Sequence, residues 1–394
     1  FNGEIYNYLG LKDQIGLKKF KTNSDTEVIL EAYKLWGEKC LNKFRGMFSF
    51  VIWDIKEEKL FAARDRFGIK PFYYFKNERG FFFASEIKAL LPFLKNKKID
   101  NDALSDYFCF QFYLEEKNLI SEVLTLLPGN YAILKNKKLT IKKYWDIKYQ
   151  VDQIKNEKWY YDHLDELLNE TMDLHLLADV EVGSYLSGGI DSSLMTALAS
   201  QHSNIENFKA YNVRFFDQRG FDESFFAESL ASKLNLDLNI VNVTEDDFIK
   251  NIENVIWHLD QPMAGPGSFP QYMISKKVSE DVKVVLGGQG GDEIFGGYAR
   301  YLLGYFDQCI KNSIDGTLND KNLTLSFESI LGNLNTLKEY KPLIEQFFSK
   351  NFFSDRGKRY WNLINRSNDY GDVILDGVIN LEKSYEGFKQ IFFN

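Results

Sequence analysis

Seven consecutive residues, Ser187-Gly188-Gly189-Ile190-Asp191-Ser192-Ser193, combine three hydroxyls, two adjacent glycines and one carboxylate. Before them, residues 180–186 alternate and carry β-branched side chains, which predicts a strand. After them, Leu194, Met195, Leu198 and Ala199 recur at helical spacing, so a helix is expected to open at the serines. A strand, a glycine turn and a helix start suit a polyphosphate. The free N–H groups of the first turn point one way, and the helix dipole favours an anion there. Gly188 and Gly189 let the backbone approach phosphate oxygens, and Ser187, Ser192 and Ser193 add hydroxyl donors. Asp191 repels phosphate unless a cation lies between them, and magnesium shared by a carboxylate and phosphate oxygens is the usual solution. The stretch is not G-x-x-x-x-G-K-[ST], because no lysine follows the glycines. Taken alone, it also reads as a tight turn with serine caps.

A second stretch, residues 287–297, holds six glycines in eleven residues and the acidic pair Asp292-Glu293. It suits backbone approach to a nucleotide, with Asp292 sharing magnesium with Asp191; the bland alternative is a flexible acidic loop. At the start of the chain stand Asn2-Gly3-Glu4-Ile5-Tyr6-Asn7 and, later, Ser24-Asp25. N–H donors can receive a developing oxyanion in acyl transfer, and carboxylates can hold an ammonium group. The same residues can instead form a hairpin turn and a helix N-cap.

The elements that would position these residues fall into two groups. Residues 47–54, 60–65, 71–75 and 81–84 read as short strands, and residues 27–36 as a helix ended by Gly37. Strands in a row with few helices predict an antiparallel layer covered by helices. Residues 150–158 are polar and mark a break. A helix over 158–177 follows, and then strands at 208–215, 238–243 and 283–286 alternate with helices at 223–234 and 245–257. This alternation predicts a doubly wound parallel sheet, whose ligands bind beyond the carboxyl ends of the strands. Both glycine loops sit at such ends. From Tyr298 the chain reads as helical, with Leu302, Tyr305, Ile310, Leu331, Leu334 and Leu337 at packing positions.

A length of 394 residues predicts two domains or more. The net charge of −8 and the absence of a basic cluster argue against nucleic-acid binding. Phe and Tyr lie in apolar segments and fit a core better than base stacking. Three widely spaced cysteines, Cys40, Cys109 and Cys309, suggest reduced thiols in a cytoplasmic protein. The four histidines show no zinc spacing, and no apolar run approaches the roughly 20 residues of a membrane span.

The first loop resembles the S-G-G-x-D-S signature of the PP-loop ATP pyrophosphatases. Residues 283–298, Lys-Val-Val-Leu-Gly-Gly-Gln-Gly-Gly-Asp-Glu-Ile-Phe-Gly-Gly-Tyr, resemble the second signature of glutamine-dependent asparagine synthetases. The N-terminal part is similar to class II glutamine amidotransferases, through Asn2–Asn7, Ser24–Glu27, Arg45–Phe48, Arg64–Pro71 and Ala84–Leu90. The resemblance implies an N-terminal-nucleophile hydrolase α/β/β/α sandwich over residues 1–148 and a PP-loop domain, doubly wound with a helical C-terminal part, over 158–394. It implies that Asn2 and Gly3 form an oxyanion hole and that Glu4 and Asp25 hold the α-amino group of glutamine. ATP would be met by Leu186, Ser187, Gly188, Gly189, Asp191, Ser192, Ser193, Val213, Gly287 and Gly288, the backbone at Leu186, Val213 and Gly288 cradling adenosine. Asp191 and Asp292 would hold Mg2+. The implied reaction is ATP-dependent amidation of aspartate, with glutamine as nitrogen donor, through an acyl-adenylate. The partners are then small molecules, with no nucleic acid or membrane, in a cytoplasmic enzyme for which a homodimer is one expected state.

The chain departs from the family in three places. The family nucleophile is an N-terminal cysteine acting with its own amine, whereas position 1 is Phe1. The expectation is that the chain is truncated at its N-terminus and that these 394 residues hydrolyse no glutamine. A C-terminal block that carries basic residues in the family is also expected to be missing. Finally, Gly287-Gly288-Gln289-Gly290 stands where Ser-Gly-Glu-Gly is usual, and Gln261 again replaces a glutamate. Gln289, at the position implicated in forming the adenylate, keeps shape and hydrogen bonding but loses charge. This leaves open another acid, such as a sugar uronate. A ring-closing ligase resembling β-lactam synthetase and a non-catalytic nucleotide-binding module are the remaining alternatives.

Overall fold

The computed structural model describes residues 1–150, 154–203, 205–215, 222–262, 265, 267–315, 338, 340–349, 355–367 and 379–393. Of the packing positions read from the sequence, Leu331, Leu334 and Leu337 lie outside these residues, as does part of the polar break at 150–158.

The N-terminal part begins with β1 (Asn2–Ile5), α1 (Tyr8–Ile15) and α2 (Asp25–Trp36). Ser24 caps α2, its side chain accepting the Thr26 N–H, and Gly37 ends it at φ 57°. Then follow β2 (Gly46–Asp54), β3 (Lys59–Arg64), β4 (Tyr73–Asn77), β5 (Gly80–Ala84), α3 (Asn101–Phe110), β6 (Leu124–Thr125), β7 (Asn130–Lys135) and β8 (Lys138–Lys143). A five-stranded antiparallel sheet, β1-β2-β3-β7-β8, faces a three-stranded one, β5-β4-β6. Alternation puts Phe48, Phe50 and Phe61 on one face of the larger sheet, packed on Val28, Ile29 and Ala32 of α2. Ala62 and Ala132 point the other way, against Phe72, Tyr74 and Leu126, and close the space between the sheets. The far face of the small sheet is covered by 3-10 turns at Ile87–Ala89 and Leu91–Phe93 through Ile87, Leu90 and Phe75. The layers are therefore helix, sheet, sheet and helical turns, as the sandwich expectation requires.

The second part opens with α4 (Glu157–His175) and β9 (Val182–Tyr185), then α5 (Ile190–His202), β10 (Lys209–Phe215), α6 (Ser224–Leu234), β11 (Asp237–Val243), α7 (Glu245–Leu259), α8 (Ser268–Asp281) and β12 (Val284–Leu286). The strands are all parallel in the order β11-β10-β9-β12. Met172, Ala199, Ala227 and Ala210 pack one face under α4, α5 and α6. Tyr211, Ile274, Val278, Val255 and Phe269 pack the other under α7 and α8. Helices on both faces of a parallel sheet make it doubly wound. The order reverses between β9 and β12, so the loops after these two strands leave the sheet side by side.

After the second glycine loop come α9 (Gly291–Phe295), α10 (Ala299–Asp315), α11 (Lys341–Phe348), α12 (Arg356–Ile364) and α13 (Leu381–Phe393). A buried ion pair, Asp307 with Arg359 at 2.8 Å, ties α10 to α12. No described helix is long and apolar enough to cross a membrane.

One expectation shifts in detail, and one alternative falls away. The helix after the first loop begins at Ile190, capped by Gly189, and not at the serines. Asn2-Gly3 is not a hairpin turn: both residues lie in β1, opposite Ser49 and Phe48. A Cβ on Gly3 would stand 2.0 Å from the Met47 carbonyl oxygen, so glycine is needed for strand approach.

Candidate active sites and the junction between them

The first candidate site is the crevice beyond β9 and β12. Leu186, the residue after β9, is wholly buried, its N–H donating to Tyr211 O at 2.8 Å and its carbonyl accepting the Asn212 amide at 2.7 Å. The chain then turns outward. Gly188 has φ 96°, and a Cβ there would be 2.9 Å from Phe226 Cβ and 3.0 Å from Glu223 O. The serines organise the loop: Ser187 Oγ and Ser192 Oγ lie 2.8 Å apart, Ser187 Oγ accepts the Gly189 N–H, and Ser192 Oγ donates to Gly189 O at 3.1 Å. Ser193 sits one turn in, its N–H on Gly189 O. This leaves the N–H groups of Ile190, Asp191 and Ser192 as the first turn of α5, without partners inside the helix.

The second loop closes on the first. A Cβ on Gly288 would meet Ser192 N at 2.7 Å, and one on Gly291 would meet the Asp191 carboxylate at 2.4 Å. Glycine at 288 lets the loops touch backbone to backbone, and glycine at 291 leaves room for the Asp191 carboxylate. Asp292 lies next to Gly291, at the start of α9, with its carboxylate against Gly297. Val213 lies half-buried in β10, beside Val241. The structure thus gathers Ser187, Gly188, Gly189, Asp191, Ser192, Ser193, Gly287 and Gly288 at one place, while Leu186 supports the loop from beneath. Among the described residues no three His, Cys, Asp or Glu side chains form a metal cluster. Two hard carboxylate donors on facing loops still fit magnesium, which commonly binds one or two carboxylates and fills its shell with water and substrate phosphate oxygens.

Gln289 is exposed and folds back over its own loop: a Cβ on Gly287 would lie 2.1 Å from Gln289 Oε1. The two departures from the family pattern, Gly287 and Gln289, are therefore sterically linked in this conformation.

The second candidate site surrounds β1. Glu4 is drawn above the usual carboxyl range by burial first and by the nearby Asp25 carboxylate, with Lys70 opposing and Asp179 reinforcing. Asp25 is the first helical residue of α2, not its cap; its Oδ2 accepts the Ile5 N–H at 3.0 Å. Glu4 and Asp25 are thus brought together as a carboxylate pair. Asp65 is buried and accepts N–H groups from Phe48, Phe67, Ile69 and Lys70, at 3.0 to 3.2 Å. Arg64 donates to the carbonyls of Gly68, Lys70 and Leu126. These two residues shape the loop that delivers Lys70. The three cysteines are buried and unbridged, and burial pushes the Cys40 and Cys109 thiols up to about 12. Thiols so raised stay protonated and are poor nucleophiles.

Sequence reasoning missed how the second part reaches the first. Tyr6 stacks on His175 of α4, and Arg45 pairs with Glu170 of the same helix. Asp260, which ends α7 at φ 67°, accepts the backbone N–H groups of Ile87 and Lys88. Gln261, 4% exposed, accepts the Leu119 N–H and donates to Asn118 Oδ1. Charge and amide composition at Asp260-Gln261 gave no sign of this use, because the partners lie more than a hundred residues away.

An antiparallel two-sheet sandwich joined to a doubly wound sheet, with paired glycine loops at its switch point, defines a two-part α/β protein of the amidotransferase and PP-loop type. Residues 1–145 match the glutamine amidotransferase domain family, and residues 163–374 match the asparagine synthase family. The chain belongs to the asparagine synthase family. It is 36% identical over 305 residues to asparagine synthetase (glutamine-hydrolyzing) 1 of Bacillus subtilis (strain 168), covering 76% of this chain and 48% of that protein. It is 30% identical over 318 residues to asparagine synthetase (glutamine-hydrolyzing) 3 of the same organism, covering 76% and 51%. It is also 32% identical over 319 residues to amidase chyE of Penicillium rubens, covering 76% and 47%. The chain spans about half the length of these curated relatives.

Proposed function

We propose that this protein amidates a carboxylic acid at the expense of ATP, with glutamine as nitrogen donor, and that aspartate is the first acid to test. The observation that carries the reading is the meeting of the two glycine loops, with Asp191 against Gly291 and Gly288 against Ser192. The family's synthetase name supports the reaction class.

On this reading residues 1–148 form the ammonia-releasing domain and residues 158–394 the acid-activating domain. In the first, Glu4 and Asp25 hold the ammonium group of glutamine, and Asn2 and Gly3 supply donors to the oxyanion. Attack on the amide, for which Phe1 offers no nucleophile, would release glutamate and ammonia. In the second, a carboxylate oxygen of the acid attacks the α-phosphorus of ATP and pyrophosphate leaves. The free N–H groups of Ile190, Asp191 and Ser192 face the leaving phosphates. Asp191 and Asp292 would hold magnesium, which supplies charge neutralisation at the phosphates. Ammonia then attacks the acyl carbon, the added nitrogen loses a proton and AMP leaves, which gives the amide. Gln289, where the family carries a glutamate implicated in forming the adenylate, is neutral, so it would hold an amine-bearing acid less firmly than a carboxylate would. Another carboxylic acid is the second reading for that reason.

Small molecules are the partners in this account. A cytoplasmic location fits three unbridged thiols, and homodimerisation is open to light scattering. ATP–pyrophosphate exchange against a panel of acids is the deciding experiment. Exchange with aspartate supports asparagine synthesis, exchange with a different acid moves the substrate, and exchange with none removes the enzymatic reading.

A further inference from the structure

Asp260 and Gln261 face the N-terminal part of the chain. Asp260 ends α7 in the left-handed region at φ 67°, a conformation that an ordinary side chain rarely takes. Both carboxylate oxygens are engaged across the junction, one by Ile87 N–H and one by Lys88 N–H at 3.0 Å. Lys88 closes the same contact from above. Its Nζ donates to Trp257 O at 2.9 Å, lies 3.6 Å from Asp260 Oδ1 and 5.1 Å from the Trp257 ring centroid, and pairs with Glu86 at 2.7 Å. Gln261 continues the seam through Leu119 N–H and Asn118 Oδ1. Ile87 packs in the core of the small sheet with Phe75 and Leu90, so the amides that Asp260 grips are rigidly held.

In the chain, Gln261 is followed by α8. Ser275 of α8 shares a hydrogen bond with the Tyr185 hydroxyl at 2.8 Å. Tyr185 is the last residue of β9, directly ahead of Leu186 and the first glycine loop.

We propose that Asp260, supported by Gln261 and Lys88, is a positioning residue that keeps the ammonia-releasing part in register with the acid-activating part, so that ammonia reaches the acyl carbon instead of solvent. The inference rests on the function proposed above. It also gives Gln261 a role apart from acid choice, because its amide is spent on Asn118 and Leu119.

The test uses the full-length protein and the variants Asp260→Ala and Lys88→Met. Glutamine consumed is compared with amide formed, and amide synthesis is measured separately with saturating ammonium chloride. The expected result for Asp260→Ala is a several-fold rise in glutamine consumed per amide, with ammonium-driven synthesis within about twofold of the parent. Lys88→Met keeps the two backbone bonds to Asp260 and is expected to shift the ratio in the same direction by less; it serves if Asp260→Ala fails to fold. A ratio unchanged in both variants overturns the proposal. So does a parallel fall of the glutamine-driven and ammonium-driven rates, which would mark a purely structural role. Failure of the parent protein to form amide from ammonium overturns the functional reading itself, a different outcome from either of these.

Discussion

The ring of Tyr6 lies on the ring of His175, with centroids 4.3 Å apart and planes 27° from parallel. Tyr6 follows the Asn2–Ile5 strand of one candidate site, and His175 ends the helix that leads to the strand of the other. Burial, with a smaller push from Arg45, holds His175 below its ordinary value of 6.5. The unfolded chain therefore binds a proton near pH 6.5 that the folded chain refuses until lower pH. Stability should fall as pH drops below 6.5 and level off below the folded value. His175→Phe keeps the stack and removes the titration, so its melting temperature should be flatter over that window. Thermal melts from pH 7.5 to 5 check this.

Glu4 carries the opposite sign. Its folded value lies above the 4.5 of a free carboxyl, so its contribution is intact below pH 4.5 and is lost as pH rises through the folded value. Glu4→Gln should raise the melting temperature at pH 7 and leave it nearly unchanged near pH 4. The same substitution should weaken glutamine binding about tenfold or more, since a charge-assisted bond to the ammonium group is lost. Calorimetric titration with glutamine reads the second effect.

Gly287 and Gly288 separate a cheap change from an expensive one. A side chain at 287 meets only the end of Gln289, which can swing away, whereas one at 288 meets the backbone at Ser192 and Asp191. Gly287→Ser should cost less than about 1 kcal/mol of stability and move Gln289 off the loop, changing the acid profile in ATP–pyrophosphate exchange. Gly288→Ala should spread the two loops and reduce ATP affinity about tenfold or more with the fold intact. Circular dichroism and nucleotide titration tell the two apart.

Asp191→Asn preserves volume at the loop and removes the charge that would meet magnesium. The expected result is a loss of about 100-fold or more in pyrophosphate exchange, an effect of a few kcal/mol on the barrier. Retention of exchange within threefold would remove Asp191 from the metal site.

Much of the second part was legible from local pattern. Residues 208–215 and 238–243 alternate with amphipathic runs, and these two strands match β10 and β11 to within a residue. Thr244 and Asp247 form a capping box that starts α7 at Glu245, where the alternation of elements placed a helix. Helix α8 was not legible, because Phe269, Ile274 and Val278 are spread among polar residues and make no clean stripe. In the first part, the Asn2-Gly3 dipeptide carries a strong turn signal, yet its glycine serves the close approach of β1 to β2. Local propensity cannot distinguish these uses when the deciding partner is a strand more than forty residues away.

The sequence by itself determined which residues can approach phosphate, where the backbone must do without a Cβ, and that a parallel and an antiparallel unit share one chain. These properties depend on neighbours within a turn or a strand. Only the tertiary structure decided that Asp191 meets Gly291, that His175 stacks on Tyr6, and that Asp260 binds the backbone of Ile87 and Lys88. The cause is physical: a carboxylate pairs with whichever N–H groups the packing of two cores brings within reach, and that packing is set by apolar surfaces spread across the whole chain.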